Sequence, residues 1–480
     1  MTAQIRRVAT IMLVLFGVMF VNLNLIQIVR GPELADHPAN RRLLVLEYQN
    51  RRGAIVVGDT EIARSVETDG DLKFLRVYDE AGLYAHLTGF HSFVLSRSGL
   101  ESALNTELTG APSEILAENL AELLGDRAVI GNTVRLTIDP NVQVAAQRAL
   151  GDRVGSVVAV DPSTGAILAS YSNPTYDPNV LSAHNASEVL DAWDALRIQD
   201  NRPLLDRVTR DRFPPGSTFK VLVAAAALER GLSPETRFED AAEYQLPQSN
   251  SVLTNYSPGP CADGGTISLA DAIRVSCNTV FARLGVDLGA EALIDVATKF
   301  GYNRPIPYEL PTVESVIPTD LDPPSTALSA IGQRDVRVTP LHAAMIIASI
   351  ANGGTMLKPY VVADVLDPSG RSVSGPQDGP WQSDGFSEQP VSPRTAQLLQ
   401  EMLVQVVERG TGRAAAIPGV RVAGKTGTAE LPDQTPTVWF LGFTDTRVAV
   451  AVVLPNAGEG ATGGRDAAPI ARAVMEAALS

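Results

Sequence analysis

The residues that follow Pro214-Pro215-Gly216 constrain this 480-residue chain more than any other stretch. A helix cannot run through those three residues, whereas Phe219, Val221, Leu222, Val223 and Ala224 to Ala227 read as a helix apolar almost all round. Such a helix belongs in the middle of a domain, so the rest of the fold has to be built around it. Its first turn nonetheless carries two reactive side chains, Ser217 and Lys220, on one face and about one turn apart. Ser217 stands where unpaired amides and the helix dipole favour developing negative charge. A serine hydroxyl is a poor nucleophile at neutral pH and needs a neighbouring base. To be that base Lys220 must be neutral, which calls for burial or for a second cation close by.

Two later strings supply the missing parts: Ser276-Cys277-Asn278 and Lys425-Thr426-Gly427-Thr428. Lys425 is the candidate second cation. The chain holds only five lysines against 34 arginines, so arginine is its default cation. Two of the five lie in these strings, where an amine can lose its proton and a guanidinium cannot. Taken singly, each string has a bland reading, a capped helix start with a solvated lysine or a polar turn. The ordered trio, with the first on a buried helix start and the third in a strand pattern, describes an acyl-transfer site built without histidine.

Composition removes other classes. The five histidines (His37, His86, His91, His184, His342) show no H-E-x-x-H spacing, and no G-x-G-x-x-G or Walker string occurs, so neither a metal nor a nucleotide cofactor is expected. A net charge of −15 with 45% hydrophobic residues describes an acidic globular protein and argues against nucleic acid as a partner.

The trio resembles the motif set of penicillin-binding proteins, and the chain looks like their class B, membrane-anchored D,D-transpeptidases, most similar to the short actinobacterial type. The likeness extends to Arg51-Arg52-Gly53-Ala54-Ile55, Gly99-Leu100-Glu101, the stretch from Ser170 to Asn179, Asn201-Arg202 and Gly332-Gln333. It implies that Ser217 is acylated while Lys220 takes its proton, that Ser276 passes a proton to the leaving amine and that Asn278 orients the donor's amide. By the same resemblance Lys425 supports the proton network, Thr426 and Thr428 hold a terminal carboxylate, and the amides of Ser217 and Thr428 form an oxyanion hole. The implied reaction cross-links peptidoglycan stem peptides through a Ser217 acyl-enzyme, which β-lactams would trap. A glycosyltransferase of the SEDS type is the implied partner, since no such domain precedes the catalytic part. Two other classes use the same strings: a hydrolase (D,D-carboxypeptidase or β-lactamase) and a non-catalytic β-lactam or muropeptide sensor or scaffold.

Arg6 and Arg7 precede an apolar run, Val8 to Val29, long enough to span a bilayer at about 1.5 Å per residue. The positive flank places residues 1–7 in the cytoplasm, 8–29 across the membrane and the remainder outside as a single-pass protein. A cleaved signal peptide is the competing reading. Residues 30–132 read as a pedestal of the dimerisation-domain kind, with β-like runs at Arg42–Tyr48 and Ala54–Val57. Residues 133–480 read as the transpeptidase domain.

In that second part the strand signals are Ser156–Val160, Ala166–Tyr171, Val420–Thr428, Val438–Phe443 and Arg447–Leu454. Two early and three late strands around a helical middle predict a mixed α+β fold, a five-stranded antiparallel sheet flanked by helices, as in serine β-lactamases. The Lys425 strand should form the edge of that sheet, where Gly427 would let a substrate backbone approach. Tyr244 to Thr266 reads as a loop overhanging the cleft, and Asp367 to Asp384 as a surface excursion in which Trp381 could dock back. Cys261 and Cys277, 16 residues apart, permit a disulfide that would pin the second string. Two separate thiols are the alternative.

Overall fold

The computed structural model describes residues 2–26, 45, 47–110, 130–376, 388–431, 434–445 and 448–480. Trp381 and the end of the apolar N-terminal run lie outside them. A helix spans Thr2–Asn24, and its apolar stretch is not buried by the rest of the protein. By length and composition it can cross a bilayer.

The five-stranded sheet has the order Val422–Leu431, Gln434–Thr444, Ala449–Leu454, Gly155–Val160, Ile167–Asn173, with every neighbouring pair antiparallel. All residues of Ala449–Leu454 and Gly155–Val160 are buried, which is why those strands read as continuous apolar runs without alternation. Pro140–Leu150 packs with Ala468–Leu479 against the sheet, and Pro340–Ala351 packs with Pro393–Arg409 against it. Helix Lys220–Glu229 is enclosed in turn by helices Leu269–Arg274, Asn278–Leu288, Ala290–Lys299 and Pro393–Arg409. Every residue from Lys220 to Leu228 is buried, and the run Ala224–Ala227 offers its neighbours a smooth, narrow cylinder.

A second, six-stranded sheet lies across the expected boundary at 132/133. Its order is Ser372–Ser374, Val362–Leu366, Thr133–Leu136, Ile55–Val57, Thr60–Glu67, Phe74–Tyr78. Ile55–Val57 runs parallel to Thr133–Leu136, and the other pairs are antiparallel. Part of the expected surface excursion is thus a hairpin of this sheet, turned by Asp367, whose carboxylate accepts from the amides of Ser369 and Arg371. The β-like run at Arg42–Tyr48 is not a strand where it is described: Glu47, Tyr48 and Gln49 are helical, and Tyr48 stacks on His91.

Two of the resemblance strings meet inside this part. Glu101 is completely buried and accepts from Arg52 Nε at 2.5 Å and from Arg76 Nε at 2.6 Å, with Tyr78 Oη at 3.3 Å. Arg52 Nη1 also donates to Asn105 Oδ1, and Arg76 Nη1 to the Gly53 carbonyl. Gly53 admits no side chain, since a Cβ would stand 1.9 Å from the Asn132 carbonyl oxygen. A third string, Ser170 to Asn179, clasps the two parts together. Asn179 Oδ1 accepts from Tyr78 N and its Nδ2 donates to Tyr78 O, both at 2.9 Å, while Thr175 Oγ1 donates to Gly82 O. The Asn201-Arg202 string serves packing: both carbonyls accept from the buried Arg207.

Candidate active site

Ser217 lies in a one-turn 3₁₀ segment, Gly216–Thr218, that leads into Lys220–Glu229. The turn is gripped from three sides. Gly216 has φ +53° and donates to the Gly332 carbonyl at 3.0 Å, and a Cβ on Gly332 would sit 2.0 Å from Gly216 O. Trp439 Nε1 donates to Pro214 O at 2.9 Å. Thr218 Oγ1 donates to Pro215 O at 2.8 Å. The half-buried Ser217 therefore faces a cavity of about 850 Å³ from a rigid seat, and Ser276, Asn278, Thr426 and Thr428 line the same cavity.

Strand Val422–Leu431 is the sheet edge, pairing on one side only, with Lys425 opposite Leu441 and Thr428 opposite Val438. Gly427, between Thr426 and Thr428, packs tightly. A Cβ there would come within 2.8 Å of Pro215 O and 2.9 Å of Thr218 Cγ2, so the bare backbone is what lets this strand close on the Ser217 turn. Gly427 thus has a packing reason beside the expected role at a substrate backbone.

The two lysines of the strings are both fully buried. Lys220 Nζ donates to Ser276 O and to Asn278 Oδ1, each at 2.7 Å, with Ser276 Oγ at 3.4 Å and the Phe281 ring centroid at 5.7 Å. Lys425 Nζ donates to Ser276 Oγ at 2.8 Å and to Thr426 O at 2.9 Å. No carboxylate pairs with either amine among the described residues. Burial, and next the charge of Lys425, push the Lys220 amine well below the ordinary lysine range. Burial alone brings Lys425 down to about 7. Ser276 Oγ thus lies between two amines that both shed protons readily. No hydrogen bond joins Ser217 Oγ to Lys220 Nζ among the described residues. The amine spends its two short contacts on the second string, and such catalytic bonds are often long before substrate arrives.

Ser276 holds a left-handed φ of 64°, which for a serine needs support from its surroundings. Cys277 N donates to Ala272 O at 2.8 Å, and Cys277 is joined to Cys261 in a disulfide. Asp240, which lies beside both sulfurs, accepts from the amides of Cys261, Ala262 and Gly264. With the sulfurs bonded to each other, no thiolate remains there to hold a metal.

A model of the penicillin-binding protein transpeptidase domain matches residues 155–476, and one of the penicillin-binding protein A dimerisation domain matches residues 52–134. The chain belongs to the penicillin-binding protein transpeptidases. It is 40% identical to the peptidoglycan D,D-transpeptidase PbpA of Mycolicibacterium smegmatis, over 100% of this chain and 99% of that one. Penicillin-binding protein A of Mycobacterium tuberculosis, solved as a ceftriaxone acyl-enzyme, superposes with a TM-score of 0.85 at 40% identity, covering 91% of this chain and 100% of that one. The penicillin G acyl-enzyme of the same protein gives 0.83 at 39% identity over 90% and 100%.

This penicillin-binding protein brings Ser217, Lys220, Ser276, Asn278, Lys425, Thr426 and Thr428 to one place. Sequence reasoning missed three contributors. Asn255 caps the helix Asn278–Leu288 from outside: its Oδ1 accepts from the amides of Asn278 and Thr279, and its Nδ2 donates to Ala241 O and Gly259 O. It belongs to the stretch expected to be loop, which instead pairs 243–245 with 252–254 and 237–239 with 266–268 and brings Leu253 to Tyr256 to the cavity. Gly463 and Thr411 also line the cavity, the latter with Oγ1 2.7 Å from Thr426 Oγ1. An isolated asparagine in a polar stretch and a threonine after glycine carry no signal a single sequence can show.

Proposed function

We propose that this chain cross-links peptidoglycan stem peptides, with Ser217 attacking the carbonyl of the penultimate D-alanine, releasing the terminal D-alanine and passing the acyl group to an amine of a neighbouring strand. The observation that carries this reading is the pair of buried amines set on one hydroxyl beside the Ser217 turn. A neutral lysine amine has two protons and one lone pair. Ser276 O and Asn278 Oδ1 take two protons of Lys220 at 2.7 Å, so its third position, with only Ser276 Oγ at 3.4 Å, can carry the lone pair a base needs.

The steps follow from that arrangement. The Lys220 lone pair accepts the Ser217 Oγ proton as the carbonyl is attacked, after a rotation of the serine side chain toward the amine. The tetrahedral oxyanion is stabilised by the Ser217 and Thr428 amides, each such donor being worth about 3–4 kcal/mol in related sites. Ser276 Oγ then hands a proton to the leaving amine and takes back the one Lys220 received from Ser217, with Lys425, which titrates near 7, supporting the hydroxyl from its other side. The same relay runs in reverse when the acceptor amine attacks. Asn278 turns its amide to the donor peptide, and the hydroxyls of Thr426 and Thr428 receive the terminal carboxylate.

The two matched relatives are, by name, a peptidoglycan D,D-transpeptidase and a protein trapped as β-lactam acyl-enzymes. Helix Thr2–Asn24 serves as a single-pass anchor with its arginines on the cytoplasmic side and the cavity outside. The amine-consuming role and a SEDS-type polymerase as partner follow from the family resemblance.

Intact-protein mass after penicillin G treatment tests the reading. One adduct on the wild type and none on Ser217→Ala is expected. An equal adduct on both defeats it, and an adduct shed in seconds assigns the same site to a hydrolase.

A further inference from the structure

Thr411 is outside all three strings, yet it stands directly against the third. Its Oγ1 and that of Thr426 are 2.7 Å apart, an ordinary O–H···O separation, and both residues line the Ser217 cavity. Two hydroxyls at that distance share one proton between them, so the accepting partner keeps its own for a third group. Thr426 is nearly buried, at 6% exposure, whereas Thr411 is exposed. The exposed Thr411 can leave its lone pairs to water and give its proton to Thr426, which frees the Thr426 proton for the cavity that both line.

The neighbouring threonine is arranged in the same way. Gly463 N donates to Thr428 Oγ1 at 3.5 Å, filling an acceptor site of that hydroxyl from behind. Backbone contacts hold Thr411 in place. Its amide donates to Arg274 O at 3.3 Å, at the end of the helix that leads to Ser276. A Cβ on Gly464 would fall 2.3 Å from Thr411 O, and one on Gly410 would fall 2.4 Å from Arg274 O. Segment 410–411 is thus clamped between the second string and the turn at 463–464.

We infer that Thr411 is a positioning residue for anion recognition: by donating to Thr426 Oγ1 it turns the Thr426 O–H into the cavity as a donor to the carboxylate of a substrate or β-lactam. Thr426 and Thr428 then form a matched pair of donors, each with an acceptor site occupied by a neighbour in the wall of the same cavity. This rests on the acyl-transfer reading of the same cavity and adds to it the device that selects a charged terminus over a neutral one.

The test is the acylation of the full chain by penicillin G and by its methyl ester, which lacks the negative charge. Thr411→Val should slow the free acid by roughly tenfold, the scale of one hydrogen bond to a charged group, with the loss in half-saturating concentration and not in the limiting rate. The ester rate should be unchanged, and its labelling also reports the folded fraction of the variant. Thr411→Ser, which keeps the hydroxyl, should restore the free-acid rate. Equal slowing of both compounds would mark Thr411 as mere packing and overturn the inference, as would no change in either. A wild type that takes up neither compound would defeat the acyl-enzyme reading itself, a result distinct from these.

Discussion

Two places in this protein bury a pair of cations, and they handle the charge in opposite ways. Around Glu101, two guanidiniums close on one carboxylate. Burial alone would raise the carboxyl of Glu101, but the charges and hydrogen bonds of Arg76 and Arg52 outweigh it and hold that carboxyl below its ordinary range. Around Ser276, two lysines close on a hydroxyl, two carbonyls and a side-chain amide. Nothing there is anionic among the described residues, so the amines respond by giving up protons. The residue types fit the difference, because arginine cannot deprotonate and must be paired, whereas lysine can be driven neutral. One cluster joins parts of the chain; the other prepares a base.

The sharpest way to break this contrast is to remove the amine that is meant to be neutral. Lys220→Met should lower the rate of acylation by about 10²–10⁴-fold, the range for a positioned general base. The same variant should stay folded with only a modest drop in melting temperature, because the methionine relieves the burial of an amine that no carboxylate pairs while Ser276 O and Asn278 Oδ1 lose their donor. A large loss of stability would mean that Lys220 is structural.

Glu101→Gln tests the other side. It leaves two guanidiniums without a counter-charge in the interior and should cost about 3–5 kcal/mol in urea unfolding. Acylation of the folded fraction should be unaffected. The pH dependence has the sign of a depressed carboxyl: the stabilisation is complete above the unfolded-state value and is lost as pH falls through the lower folded-state value. In Glu101→Gln that acid-side loss should disappear.

A smaller effect comes from Lys425. Its folded-state value of about 7 lies below the ordinary 10.5, so between these limits the unfolded chain binds more protons than the folded one. Stability from this group therefore rises with pH across that window, by about 1 kcal/mol per pH unit at most. The wild type should gain stability relative to Lys425→Met from pH 7 toward pH 10. A constant difference would show that Lys425 is not desolvated.

What could be read in the sequence follows from these same forces. The helix from Lys220 announced its burial because Val221 to Leu228 has no polar face, and a lysine at the start of such a segment has few explanations. The five-stranded sheet was legible because strands such as Ala449–Leu454 are buried on both faces and therefore apolar throughout. The six-stranded sheet was legible only in single strands, such as Ile55–Val57, and not in its pairing. Thr133–Leu136 pairs with Ile55–Val57 and Val362–Leu366, partners far away in sequence that no local pattern identifies. Arg52 and Glu101 stood in the sequence only as parts of strings shared with the family, and nothing local shows that they meet each other and Arg76. Asn255 is polar in a polar stretch, and only the helix end it caps shows why it is there. The structural reason for Gly427 was equally hidden, since its neighbours across the gap are Pro215 and Thr218.

With five lysines in the chain, the protonation of the two buried amines can be observed directly by titrating ¹⁵Nζ-labelled lysine in the full-length protein. Signals assigned by their loss in Lys220→Met and Lys425→Met should titrate well below the ordinary lysine value of 10.5, that of Lys425 near 7. If both signals titrate at about 10.5, the amine beside Ser217 is an ammonium at neutral pH, and the base this account depends on does not exist.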